Sequence, residues 1–193
     1  MLLFILNKIH FSYNFLIIIF TFISYAIIGF IDDFLIIKRN NNNGLSEKAK
    51  LILQTIVAII FFYLFMKAGN EPLIWIHTLG IKWHIGWFYG VFILFILVAS
   101  SNAVNLTDGL DGLAGGLSFL AFITFGIICF NTGWLEGYIE MALFCFILAG
   151  SLLGFLVFNV SPAKVFMGDT GSLCLGATLG SIAIVTRHEL LLV

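Results

Sequence analysis

Five of the ten acidic residues are aspartates, Asp32, Asp33, Asp108, Asp111 and Asp169, and each lies in a short polar string at the edge of a long apolar run. The adjacent pair Asp32-Asp33 closes the first such run. In Asn102-Ala-Val-Asn-Leu-Thr-Asp-Gly-Leu-Asp-Gly112, polar residues recur every third position as Asn102, Asn105, Asp108 and Asp111. On a helix these positions share one edge, and the glycines among them leave backbone open to close approach. In Phe166-Met167-Gly168-Asp169-Thr170-Gly171-Ser172, two glycines flank an acid at the expected start of a helix. Free N–H groups there suit phosphate oxygens, and a carboxylate suits Mg²⁺. With Lys48, Lys50 and Lys164 nearby in the chain, the set matches metal-assisted chemistry on a diphosphate. In such chemistry a cation neutralises phosphate oxygens while a carboxylate activates the nucleophile.

A plainer reading makes each aspartate a helix cap. That suits Asp169 before the last apolar run and Asp111 before the fourth. It does not suit Asp32-Asp33, which the sequence places at a helix C-terminus, where negative charge is unfavourable.

The elements that position these residues are membrane spans. The 193 residues are 61% hydrophobic and 10% charged, with a mean hydropathy of +1.12, too little polar surface for a water-soluble domain. A net charge of −1 gives no basic footprint for nucleic acid. Cys129, Cys145 and Cys174 lie in apolar runs without ligand spacing, which sets aside a disulfide scaffold or zinc module. No secretory signal is evident, because the first apolar run ends in acids rather than small residues. The expected fold is an all-α membrane bundle with spans near 14–31, 50–67, 86–103, 113–130, 139–158 and 171–186. Each is close to the length a helix needs to cross about 30 Å of hydrocarbon. Residues 32–49, with Asn40 to Asn43 and Gly44, read as a polar loop. Residues 73–86 suggest a small interfacial hairpin about Leu79-Gly80, with Trp75 and Trp83 at headgroup level. Gly150/Gly154 and Gly176/Gly180 have the spacing of close helix packing.

If the spans alternate, all five aspartates reach one side of the membrane, together with Lys38, Arg39, Lys48, Lys50 and Lys164. The other side receives Lys8, Lys67, Lys82, Arg187 and the glutamates Glu71, Glu136, Glu140 and Glu189. The slight excess of basic residues leans the aspartate side toward the cytoplasm. Acids gathered at apolar helix ends need pairing, water or a cation, so the cluster is a candidate functional site.

Three strings carry a family resemblance: Gly29-Phe-Ile-Asp-Asp33, Asn102 to Ala114, and Pro162-Ala-Lys-Val-Phe-Met-Gly-Asp-Thr-Gly-Ser172. Occurring in this order, they resemble the polyprenyl-phosphate N-acetylhexosamine-1-phosphate transferases, above all the branch that uses UDP-N-acetylmuramoyl-pentapeptide. The similarity runs from about Gly29 to the chain end. It implies transfer of phospho-N-acetylmuramoyl-pentapeptide to undecaprenyl phosphate, giving lipid I and UMP for peptidoglycan synthesis. It further implies a Mg²⁺ cofactor, a bacterial cytoplasmic membrane protein with its site facing the cytoplasm, contact with membrane lipid, and scope for a homodimer. By the same resemblance Asp32, Asp33 and Asp169 are catalytic, Asp32 is the candidate base toward the lipid phosphate, and Asp169 binds the metal. Lys48 matches a lysine near the phosphates. Asn105, Asp108, Asp111, Asn159, Phe166 and Gly168 match positions around the nucleoside, with Phe166 a stacking surface for uracil. Direct attack by the lipid phosphate is favoured over a covalent intermediate.

Three departures stand out. A family lysine three residues after the second aspartate is Ile36 here, and the resemblance implies a single catalytic domain, 1–193, truncated at both ends. The family's histidine triplet is not matched by His10, His77, His84 or His188. Other readings are a sibling using UDP-N-acetylglucosamine, an inactive fragment, and a cation or proton transporter with acids along its path.

Overall fold

Apolar runs without a period-two alternation satisfy their backbone internally as helices, and the computed structural model has, among its described residues, six long enough and apolar enough to cross a membrane. It describes residues 11–40, 44–76 and 79–192. Lys8, His10, Asn41, Asn42, Asn43 and His77 lie outside the described residues. The helices are α1 (Tyr13–Arg39), α2 (Glu47–Lys67), α3 (Phe88–Thr107), α4 (Leu113–Asn131), α5 (Tyr138–Asn159) and α6 (Gly168–Val185). A 3₁₀ turn, Glu189–Leu191, follows α6. Between α2 and α3, β1 (Leu73–Ile76) and β2 (Ile81–His84) form the expected hairpin, antiparallel with Trp75 opposite Lys82. The Lys82 ammonium lies 4.5 Å from the Trp75 ring centre, and Trp75 packs on Trp134.

The largest departure from the predicted boundaries is at the end of α1. The helix starts where the Ser12 hydroxyl accepts from the Phe15 N–H at 3.2 Å, but it continues eight residues past Ile31. Phe34 to Ile37 contain no breaker, Lys38 and Arg39 favour the negative end of the helix dipole, and Asn40 closes it in the left-handed conformation. Asp32 and Asp33 thus lie inside a helix, about two turns from its end, rather than at its terminus. The predicted 32–49 loop shortens to residues 40–46, because the Ser46 hydroxyl caps α2 by accepting from the Ala49 N–H. At the other motif, α3 runs through Asn102 and Asn105 and stops at Thr107. Asn102 and Asn105 share a helix edge as expected; Asp108 is the C-terminal cap, and Asp111 lies in the turn before α4.

Lipid tails are as apolar as leucine, so burial alone does not drive spans together; small residues that let backbones approach do. The α6 sequence Gly-Asp-Thr-Gly-Ser-Leu-Cys-Leu-Gly-Ala-Thr-Leu-Gly-Ser-Ile-Ala-Ile-Val is the richest in such residues, and α6 is the most enclosed helix, packed chiefly between α1 and α3. A Cβ at Gly176 would strike the backbone of Ser100 and Ser101, and one at Gly180 would crowd the Ser100 hydroxyl. That pair packs as its spacing predicts. Gly150 and Gly154 do not: nothing described lies within 4 Å of where a Cβ would stand on either. Helices α4 and α5 pair beside this trio.

The end of α6 remote from Asp169 is clamped as well. Arg187, in the left-handed conformation, donates to the Leu73 carbonyl at 3.1 Å and to the Tyr89 hydroxyl oxygen at 3.2 Å. Its guanidinium lies 4.9 Å from the Phe65 ring centre. The Tyr89 hydroxyl donates to Glu189 at 3.0 Å, so the hairpin, α2, α3 and the 3₁₀ turn meet at one buried cluster.

Candidate active site

Asp33 sits on α1 beside the start of α6 because the two helices touch at a glycine. A Cβ at Gly29 would collide with the carbonyl of Asp169. With that approach made, both Asp33 carboxylate oxygens reach the α6 N-terminus. Oδ1 accepts from the Asp169 N–H at 3.1 Å, and Oδ2 accepts from the Thr170 N–H at 2.9 Å and the Thr170 hydroxyl at 2.6 Å. The first N–H groups of a helix have no partner within it, so an acid from a neighbouring helix serves as cap and complements the dipole. Gly168, at φ +66°, makes the turn into α6, and a Cβ there would come 2.8 Å from Asp33. Asp169 is accordingly in the first turn of α6, not ahead of it.

Asp169 is held from two further helices. Its Oδ2 accepts from Lys50 of α2 at 2.5 Å, and its Oδ1 accepts from the Asn105 amide of α3 at 2.7 Å. Asn105 also donates to the Ser172 hydroxyl at 2.8 Å. Asp32, 4% exposed, accepts from the Leu45 N–H at 2.7 Å and pairs with Lys50 at 3.4 Å. One ligand oxygen each from Asp32, Asp33 and Asp169 lie within 4.8 Å of one another. Three formal negative charges thus face one ammonium, and the donors are hard oxygens. The set fits a small divalent cation, which prefers carboxylate oxygen and water. The three carboxylates would hold it.

The remaining candidates divide between the rim and the loops. Burial raises the Asp108 carboxyl above the usual range, opposed by a hydrogen bond from the Gly168 backbone and reinforced by the charges of Asp169 and Asp33. Asp111 accepts from the Ala163 N–H at 3.0 Å. Asn159 is buried with both ends of its amide engaged: Oδ1 accepts from the Gly112 N–H at 3.0 Å, and Nδ2 donates to the Val165 carbonyl at 2.9 Å. Together Asp111 and Asn159 tie the α3–α4 turn to the α5–α6 loop. Phe166, on that loop, is 73% exposed.

Lys48 is exposed in the first turn of α2, and the lysine that reaches the acids is Lys50. The signal was periodicity: Lys50 and Gln54 are one turn apart on a single face, whereas Lys48 is about 200° around the helix from Lys50. Thr170 and Ser172, whose spacing marks no chemistry, are also bonded within the site.

Comparison with known families matches residues 15–187 to Glycosyl transferase family 4. A phospho-N-acetylmuramoyl-pentapeptide-transferase of Geobacillus thermodenitrificans is 45% identical over 178 residues, covering 91% of this chain and 53% of the relative. Proteins of the same name from Oceanobacillus iheyensis and Bacillus mycoides are 43% and 46% identical, covering 94% and 88% of this chain and 55% and 51% of their own lengths. The chain spans about half the length of the curated relatives it matches.

Proposed function

The chain belongs to glycosyl transferase family 4, and from that premise we propose that its protein transfers phospho-N-acetylmuramoyl-pentapeptide from UDP to undecaprenyl phosphate. The products are lipid I and UMP. The observation that carries this reading is the convergence of Asp32, Asp33 and Asp169 from α1 and α6, with Lys50 and Asn105, at one end of the bundle. The names of the relatives support it and lend nothing to a transporter.

Each residue has a part in the proposal. The three carboxylates would hold Mg²⁺, which would supply charge neutralisation at the diphosphate. Asp32, shielded from water and beside Lys50, takes the proton from the lipid phosphate, which then attacks the donor's sugar-linked phosphorus directly. Lys50 offsets charge on the phosphates. Asn105 orients Asp169, and Asp33 holds the start of α6 so that the carboxylate of Asp169 faces the site. Phe166 stacks on uracil, while Asp108, Asp111, Asn159 and Gly168 shape the loops around the nucleoside. Lys48 lies at the approach to the site. The aspartate end faces the cytoplasm of a bacterial inner membrane, where a nucleotide sugar is dissolved.

The test is UMP release from UDP-N-acetylmuramoyl-pentapeptide by the purified, reconstituted protein. Release that requires both undecaprenyl phosphate and Mg²⁺ is expected. Absence of UMP with both present, or equal turnover of UDP-N-acetylglucosamine, would overturn the assignment.

A further inference from the structure

A second polar group lies deeper in the bundle than the acids. Between α2 and α3 is a cavity of about 400 Å³ lined by Glu47, Lys50, Gln54, Asn102 and Asn105, with the exposed side chains of Leu51 and Leu106 at its edge. Gln54 is one turn along α2 from Lys50, and Asn102 is one turn along α3 from Asn105, both toward the membrane interior. Gln54 is 1% exposed and its Nε2 has no hydrogen-bond partner among the described residues. A buried N–H left unpaired is destabilising, because its lost hydration is not replaced.

The amide cannot relieve this by turning over. Asn102 Nδ2 donates to the Val98 carbonyl at 2.7 Å, which establishes that edge of Asn102 as the donor. The same nitrogen donates to Gln54 Oε1 at 3.0 Å, so Gln54 must present its oxygen to Asn102 and its NH₂ elsewhere.

We propose that Gln54 Nε2 binds the phosphate of the lipid acceptor in this cavity, with Asn102 as its positioning residue. The inference rests on the function proposed above. An oxyanion supplies the acceptor that Nε2 lacks, and Lys50, which Asp32 and Asp169 hold on the same wall, is the cation beside it. Depth selects the acceptor over the donor. A phosphate carried on an apolar tail enters through the membrane between Leu51 and Leu106, whereas a water-soluble nucleotide meets the aqueous rim around Asp108 and Phe166. The phosphate at Gln54 then lies one turn from Lys50 and the carboxylates.

The experiment measures binding by native mass spectrometry of the detergent-solubilised protein with three probes: undecaprenyl phosphate, undecaprenol and UDP-N-acetylmuramoyl-pentapeptide. The wild type is expected to prefer the lipid phosphate over the alcohol by about tenfold or more, as befits a hydrogen bond to a charged group. Gln54→Leu should lose that preference while keeping its affinity for the UDP donor. Gln54→Glu keeps the shape and the oxygen facing Asn102, so it guards against a folding defect, and it should lose the preference as completely. Circular dichroism melts confirm that both variants fold. Full preference for the phosphate in a folded Gln54 variant, an equal loss of donor binding, or no preference in the wild type would overturn the inference. UMP release separates the two readings. Phosphate binding through Gln54 without UMP release refutes the transfer reaction alone; UMP release with an unchanged KM for undecaprenyl phosphate in Gln54→Leu refutes the role of Gln54 alone.

Discussion

Asp33 caps a helix to which it does not belong: its Oδ2 accepts from both the backbone N–H and the hydroxyl of Thr170, at 2.9 and 2.6 Å. The adjacent Asp32 points instead to the loop before α2, accepting from Leu45. Neighbouring carboxylates on α1 therefore have distinct tasks. One holds the start of α6, and the other meets Lys50.

Removing the Asp33 cap should loosen α6 as well as the site. Asp33→Ala is expected to cost about 0.5–2 kcal/mol of stability, the range for a lost N-cap acceptor. Asp33→Asn keeps one acceptor oxygen and should recover part of that stability without recovering UMP release. Thermal unfolding in detergent, read by circular dichroism, checks the first effect, and the activity assay checks the second.

Lys50 and Lys48 differ by two positions and should differ widely in consequence. Lys50→Ala strands Asp32 and Asp169 without their shared cation, and UMP release should fall by about 10²-fold or more, as when a donor aimed at developing charge is lost. Lys48→Ala removes an exposed charge and should change the rate by about threefold or less. A comparable loss in both variants would contradict the assignment of the charge-offsetting role to Lys50.

Asp169 offers the metal an oxygen that Asn105 and Lys50 already orient. Asp169→Asn should weaken Mg²⁺ binding by at least about tenfold, the scale expected when even an outer partner of a metal site is lost. Isothermal titration with Mg²⁺ in the absence of substrate gives this directly. An unchanged affinity would place the ion elsewhere.

At the opposite end of the molecule, burial raises the Glu189 carboxyl above the usual range, against the opposing effects of its backbone, Tyr89 and Arg187. A carboxyl with a higher pKa folded than unfolded holds its proton more tightly in the folded state. Its contribution to stability is fully present below the unfolded value and is lost as pH rises through the folded one. Glu189→Gln, which can keep the bond from Tyr89, should flatten that part of the profile and be the more stable protein above it. Melting temperatures of the two proteins, measured across the acid range to neutrality, test this.

Much of this arrangement is legible in the amino-acid sequence. Span parity alone brings Asp32, Asp33, Asp108, Asp111 and Asp169 to one side, because an even number of crossings separates one group from the next. The three-residue spacing of Asn102 and Asn105 did place both on one helix edge. What the residues do not announce is partnership across helices. Nothing near Asp33 in the sequence marks Thr170 as its partner, since that contact depends on the close approach at Gly29. That Lys50 reaches the acids follows from the phase of α2, which similarity of motif does not convey. The extension of α1 was hidden for a related reason: two adjacent acids look like a terminus, yet hydrogen bonds from α6 and a salt bridge from α2 make them tolerable within a helix. Gly150 and Gly154 show the converse, a packing pattern with no described neighbour to receive it.

The two clamps on α6 restrict how the molecule can work. One end is anchored by Asp33, Asn105 and Lys50, the other by the hydrogen bonds of Arg187 to Leu73 and Tyr89. A piston stroke of this helix would break both sets at once. The rod that carries Asp169 is thus tied down at both ends, a fixed anvil within the bundle rather than a sliding part.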